Sequence, residues 1–112
     1  MGGLKRYCLA LDLVDDELRI AQYEAHHKKV WPEVLKSIKE SGIRQMEIHR
    51  AGNRLFMIIE VDDTFSFENK QQADAQNSKV QEWENLMWNY QQALPFARPG
   101  EKWVIMDQIF KL

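Results

Sequence analysis

The fold is decided by residues 43–61, which read IRQMEIHRAGNRLFMIIEV. The pattern predicts a pair of strands, Ile43–His49 and Arg54–Val61, joined by a short turn. The residues between them, 50–53, contain a Gly-Asn pair that is typical of a hairpin turn. The second strand is almost continuously apolar over Leu55–Ile59, which predicts a central strand that is buried on both faces.

N-terminal to this hairpin, the sequence predicts one strand and two helices. Large apolar side chains alternate with smaller or polar ones over Lys5–Leu13, which is the period of a strand. A helix is expected to begin near residues 15–16, where carboxylates complement the free amides of a helix start, and to break over residues 28–31. A second helix is predicted over Pro32–Glu40, with Gly42 as its left-handed cap.

C-terminal to the hairpin, the pattern predicts a long helix and a last strand. The polar stretch Asp62–Gln76 is interpreted as a short helix or loop. A cap at residue 77 or 78 begins a helix from Lys79 to about Leu94, whose apolar side chains recur every three or four residues. A last strand covers Trp103–Phe110. The order β-α-β-β-α-β predicts an α+β, ferredoxin-like fold with an antiparallel four-stranded sheet.

Length and composition narrow the class of protein. The 112 residues are 45% hydrophobic and 29% charged, which suits a single domain over residues 1–112. Cys8 is the only cysteine, so we expect a reducing compartment, the cytoplasm. Fifteen Lys and Arg against seventeen Asp and Glu, without a basic run, do not favour nucleic-acid binding. Since no apolar run approaches about 20 residues, no membrane association is expected.

The predicted sheet has helices on only one face. Its other face is left bare, and the strand sequences suggest that this face is apolar. An apolar face of this kind needs a ligand or a partner. Closed two-fold pairs are the commonest oligomers, so we expect a homodimer.

Tyr23 and His27 are the strongest local candidates for proton transfer. They lie four residues apart and so share one face of a helix. A histidine with a pKa of about 6.5 can give and accept a proton near neutral pH. The alternative is a solvated histidine beside a core tyrosine. His26 points about 100° away and is not expected to share the site.

Three other residues are considered for a role in binding or catalysis. Glu60 is in phase with an apolar row of its strand, so it is either a buried general base, serving as a second proton carrier, or a strand-end residue that reaches water. Trp83 matches the apolar stripe of its helix, and Glu84 beside it can reach a hydroxyl-rich ligand. The histidines lack the spacing of a metal site, and isolated glycines form no phosphate loop, so neither a metal nor a nucleotide cofactor is expected.

Residues 23–34, YEAHHKKVWPEV, resemble the signature of the L-rhamnose mutarotase family, in which Tyr, three residues, His, three residues and Trp-Pro-Glu recur. The likeness continues in order through Gly42-Ile43, residues 55–60, Gln81-Glu82-Trp83, Met87, Leu94-Pro95 and the tail ending in Phe110. The resemblance implies a dimeric ferredoxin-like α/β barrel that interconverts the α and β anomers of a 6-deoxy-sugar without a cofactor. It also implies His27 as proton donor, with Tyr23 and Trp83 as sugar-binding residues.

Two positions depart from the family pattern. Glu84 stands where the family has the second of two adjacent binding tryptophans, and Met46 stands where it has a further binding tyrosine. A lost phenol and an added carboxylate change the hydrogen-bonding groups of the pocket. Residues 83–87 and 100–103 look more like the branch associated with L-fucose. The resemblance thus implies L-rhamnose or L-fucose as substrate.

Two further functions stay open on the same scaffold. One is a small monooxygenase, cofactor-free or haem-dependent, that uses the barrel cavity. The other is a domain that binds a small molecule without catalysis. A fold alone does not choose among such functions.

Overall fold

The computed structural model describes residues 3–112, so the first two residues of the predicted domain lie outside the described part. A strand, two helices, a hairpin, two more helices and two short strands follow one another along the chain. The bounds are β1 Lys5–Leu13, α1 Glu17–His27, α2 Pro32–Glu40, β2 Ile43–Ala51, β3 Arg54–Val61, α3 Phe67–Ala75, α4 Ser78–Trp88, β4 Gln91–Gln92 and β5 Val104–Ile105.

The strands form one antiparallel sheet in the order β2-β3-β1-β4, and β5 pairs with β1 on the edge that β4 also uses. The predicted antiparallel α+β fold is confirmed, with β3 in the interior of the sheet. Burial of β3 on both faces is not observed. Leu55 and Ile59 are buried against the helices, whereas Phe56 and Ile58 on the opposite face are only half-buried, because the helices cover one face alone.

Local signals set the start of both N-terminal helices. The Asp16 carboxylate accepts from the Arg19 amide and caps α1, as the acidic residues predicted. Pro32 is the first residue of α2, so the break falls where it was expected. Gly42 after α2 has a φ of +99°, and a Cβ there would lie 2.6 Å from the Asp62 carboxylate, so only glycine fits.

The C-terminal part differs from the prediction in two places. Helix α4 ends at Trp88 rather than near Leu94, because the Tyr90 carbonyl accepts from the Val14 amide and the chain joins β1 as β4. The last strand is only two residues long, and beyond it Ile109 and Phe110 are 95% and 77% exposed. The edge of β1 is shared between two short segments, which leaves no room for a long final strand.

The core lies between the helices and the covered face of the sheet. One cluster of buried side chains joins the end of β1 to α1, α2 and α4, and a second joins β1, β2 and β3.

We call the other surface of the sheet the open sheet face. It is defined by Cys8, Ala10, Phe56, Ile58 and Val104, which face one another in register. Within residues 3–112, no helix is long and apolar enough to cross a membrane.

Candidate active site

A cavity of about 1000 Å³ lies between the helices and the covered face of the sheet. Its walls come from the helices α1 to α4, the strands β1, β2 and β3, and the segment that follows α4. Five residues singled out from the sequence line it together: Tyr23, His27, Met46, Trp83 and Glu84. A second, more polar groove of about 530 Å³ beside α2 and α3 contains none of these five residues. The larger cavity is therefore the candidate active site.

His27 is the last residue of α1 and is held by its own helix. Its Nδ1 lies 2.9 Å from the Tyr23 carbonyl oxygen. A carbonyl can only accept, so Nδ1 carries the proton and Nε2 holds a free lone pair in the neutral ring. Burial lowers the pKa of His27 from 6.5, and this effect outweighs the opposing effect of the hydrogen bond. His27 is thus a neutral base near pH 7.

Tyr23 is 3% exposed and lies one helical turn before His27. The two rings pack with centroids 4.4 Å apart and a tilt of 35°. Burial raises the pKa of the phenol to about 12, although a hydrogen bond from Gln91 lowers it in part. That bond is donated by Gln91 Nε2 at 3.4 Å, so the phenolic proton is free to be donated elsewhere. The cavity therefore places a neutral base beside a protonated phenol.

Trp83 of α4 forms the aromatic wall of this site. Its ring packs edge-on against His27, with centroids 5.6 Å apart, and against Trp31, at 5.3 Å. Trp31 is the N-cap of α2, so the Trp-Pro step both begins a helix and supports the wall. His26 also contacts Trp83, and its Nε2 lies 3.2 Å from the Tyr90 hydroxyl. His26 is not part of the cavity lining, in line with its predicted direction.

Lys102 and Gln91 are among the polar residues of the cavity that the sequence reasoning missed. Lys102 lies 3.4 Å from the Glu84 carbonyl oxygen and 4.7 Å from the centre of the Trp88 ring. Burial lowers its pKa, while the Glu84 charge acts in the opposite direction. Gln91 lines the wall next to Tyr23. Lys102 lies in residues 100–103, whose likeness to the L-fucose branch was a signal that could have found it. Gln91 lies inside the helix predicted to end near Leu94, so no sequence signal marked it.

Glu60 does not join the site. It faces the same way as Phe56 and Ile58, on the open sheet face, and its carboxylate pairs with Arg6 at 3.7 Å. The sheet itself separates Glu60 from the cavity. Among residues 3–112, the structure contains no group of three or more side chains that could hold a metal ion.

A family model described as L-rhamnose mutarotase matches residues 6–112. The chain belongs to the L-rhamnose mutarotase family. The protein is therefore a sugar mutarotase, which is an isomerase that acts on carbohydrates. The resemblance carried by residues 23–34 is confirmed, and neither the monooxygenase nor the non-catalytic alternative is supported.

Individual relatives agree with this family. An L-fucose mutarotase of Xanthomonas campestris pv. campestris is 45% identical over 112 residues, which cover 98% of this chain and 90% of the relative. A UPF0734 protein of Dictyostelium discoideum is 38% identical over 112 residues, covering 96% and 90%. The crystal structure of an L-rhamnose mutarotase from Formosa agariphila superimposes with a TM-score of 0.71, at 20% identity, over 96% of this chain and 98% of that one. This last likeness shows the shared fold.

Proposed function

We propose that this mutarotase interconverts the α and β anomers of a 6-deoxy-L-hexose, with L-fucose preferred to L-rhamnose. The observation that carries the proposal is the packed pair of Tyr23 and His27 in the cavity wall. The preference for L-fucose is supported by the 45% identity to an L-fucose mutarotase and by Glu84 and Met46, where the rhamnose pattern has aromatic residues. The chemistry needs no cofactor.

His27 is the principal acid/base in this proposal. Its Nε2 removes the proton from the anomeric hydroxyl, the C1–O5 bond breaks, and the Tyr23 phenol gives its proton to the ring oxygen. The open-chain aldehyde turns about C1–C2. Reclosure on the other face returns the ring-oxygen proton to Tyr23 and the His27 proton to the new anomeric oxygen. Each positioned proton-transfer group is expected to contribute about 10²–10⁴-fold.

The remaining residues of the site bind the sugar. Trp83 presents a ring face of the kind that packs against the apolar side of a hexose and its C6 methyl group. The Glu84 carboxylate accepts hydrogen bonds from hydroxyls at the rim. Met46 offers an apolar surface in place of a phenol. Together they select a sugar with one methyl end and several hydroxyls.

Two-dimensional exchange NMR tests the function directly. The rate of exchange between the two anomeric signals is measured with and without protein for L-fucose, L-rhamnose and L-galactose, which is L-fucose with a 6-hydroxyl. We expect the largest acceleration for L-fucose and less for L-galactose, because a hydroxyl would face the apolar wall. A lack of acceleration for every 6-deoxy-hexose would rule out the proposal.

The pH profile follows from the pKa of His27. Because burial lowers that pKa from 6.5, the neutral base persists into mildly acidic solution. We expect kcat/KM, after subtraction of the spontaneous rate, to be constant near neutral pH and to fall only as pH drops through a midpoint below 6.5. Because the pKa of the Tyr23 phenol is about 12, we expect its ionisation to cause no loss of kcat/KM below about pH 10. A midpoint above 6.5 would contradict the role of His27 as base.

We also propose that the protein is a cytoplasmic homodimer. The open sheet face carries half-buried apolar side chains, among them Phe56 and Ile58, and a second copy of this face would cover them. Sedimentation equilibrium is expected to give twice the chain mass of 13.3 kDa. Phe56→Asp should shift the mass to that of one chain, whereas Phe96→Asp, at an exposed site after α4, should not. A wild-type protein that sediments as a single chain would contradict this assembly.

A further inference from the structure

Gln91 is a buried amide in the wall of the cavity. It is the first residue of β4, where its backbone pairs with Leu13 of β1, and its side chain is among those that line the cavity. The residue is only 7% exposed. Buried side-chain amides in folded proteins are normally hydrogen-bonded, because an unpaired one keeps its full desolvation cost.

One polar atom of this amide has no partner. Gln91 Nε2 donates to the Tyr23 hydroxyl at the long distance of 3.4 Å, and Gln91 Oε1 is bonded to no atom of the described residues. If the two amide atoms were exchanged, Nε2 would be the unpaired one and Oε1 would accept from the phenol. Either orientation leaves one polar atom of a buried amide free.

We propose that Gln91 is a substrate-binding residue. Its unpaired amide atom has almost no exposed surface in the empty cavity, and a small rotation of the side chain, which lines the cavity, lets that atom bond a hydroxyl group of the sugar. This inference rests on the proposed function and deepens it. A sugar hydroxyl can both donate and accept, so it satisfies either orientation of the amide. The bound sugar then removes the desolvation cost that the empty site carries.

Tyr23 connects this amide to the chemistry. Its ring packs against His27 and its hydroxyl meets Gln91, so the three side chains form one continuous polar edge of the cavity. In the orientation that the structure shows, Gln91 Nε2 donates to the phenol oxygen, and the phenolic proton then stays available for the ligand. Gln91 therefore contacts the sugar next to the group that protonates its ring oxygen.

The test compares Gln91→Met with Gln92→Met. Methionine has the length of glutamine without its polar atoms, and Gln92 is the exposed neighbour on the same strand. We expect Gln91→Met to lower kcat/KM for L-fucose by about 10- to 100-fold, the range for a lost hydrogen bond in a buried site. Its unfolding temperature should be unchanged or higher, because an unpaired buried group is removed. Gln92→Met should match the wild type in both measurements.

Deoxy analogues of L-fucose, each lacking one ring hydroxyl, identify the contact. For one analogue the wild type should lose activity and Gln91→Met should lose nothing further, since both partners of the bond are then absent. Equal activity of Gln91→Met and wild type on L-fucose overturns the assignment. A lowered unfolding temperature with the same loss on every analogue also overturns it and indicates a structural role. A wild type that accelerates no sugar instead refutes the proposed function, and the Gln91 contact with it.

Discussion

Replacing His27 by alanine is expected to reduce kcat/KM for anomer exchange by about 10²–10⁴-fold, the range for one positioned acid/base group. The loss should be this large because His27 is the proposed base, with Nδ1 held by the Tyr23 carbonyl and Nε2 left with a lone pair. Saturation-transfer NMR on the anomeric protons of L-fucose measures the rate. The sugar also exchanges spontaneously, so the exchange rate observed with the variant cannot be lower than the rate without protein.

His49→Ala is the matched control for this variant. His49 is an exposed histidine of β2 that faces Phe56, away from the cavity, so its loss should leave the exchange rate unchanged. Both variants should unfold at temperatures close to that of the wild type. If His27→Ala folds and exchanges anomers at the wild-type rate, the assignment of His27 fails.

The second large effect is expected for stability. Trp83 is 8% exposed and packs against the rings of Trp31, His26 and His27. Truncating such a side chain removes its buried area and leaves a cavity, so Trp83→Ala should lower the free energy of unfolding by about 3–5 kcal/mol. Urea denaturation followed by circular dichroism measures this change.

Two further variants separate stability from binding. Trp88, also on α4, is 38% exposed, and Trp88→Ala should cost much less stability than Trp83→Ala. Trp83→Phe keeps an aromatic ring in the wall, so it should fold well and raise KM through the smaller surface offered to the sugar. Equal destabilisation by Trp83→Ala and Trp88→Ala would contradict the packing described for α4.

Local patterns were sufficient for most of the N-terminal elements. The bounds of β1, α2 and β3 agree with those predicted, because alternation, a proline and a glycine define them within a few residues of sequence. The end of α4 could not be predicted in this way. Tyr90 and Leu94 continue the helical spacing and are half-buried and buried, but the chain leaves the helix because β1 offers it an edge, and that edge is distant in sequence.

The candidate site shows the same division. Tyr23 and His27 could be found from spacing because they lie on one helix. The direction of Glu60 could not, since both phases of β3 are apolar and nothing local indicates which phase faces the helices. The place of Gln91 in the cavity wall could not be predicted, because it depends on β4, the strand that replaces the end of the predicted helix. Met46, Trp83 and Glu84 were found through the family resemblance, whereas Gln91, whose place depends on pairing with β1, was left unassigned.

The hydrogen bond between His27 Nδ1 and the Tyr23 carbonyl has an evolutionary consequence. It holds one nitrogen of the His27 ring from within a single helical turn of α1, and the ring also packs against Trp83 of α4. Met46 and Glu84, at which the sequence resemblance implies a departure from the family pattern, lie on β2 and α4. On the proposed mechanism, new sugars can therefore be accommodated by substitutions in β2 and α4 while Tyr23 and His27 of α1 are kept.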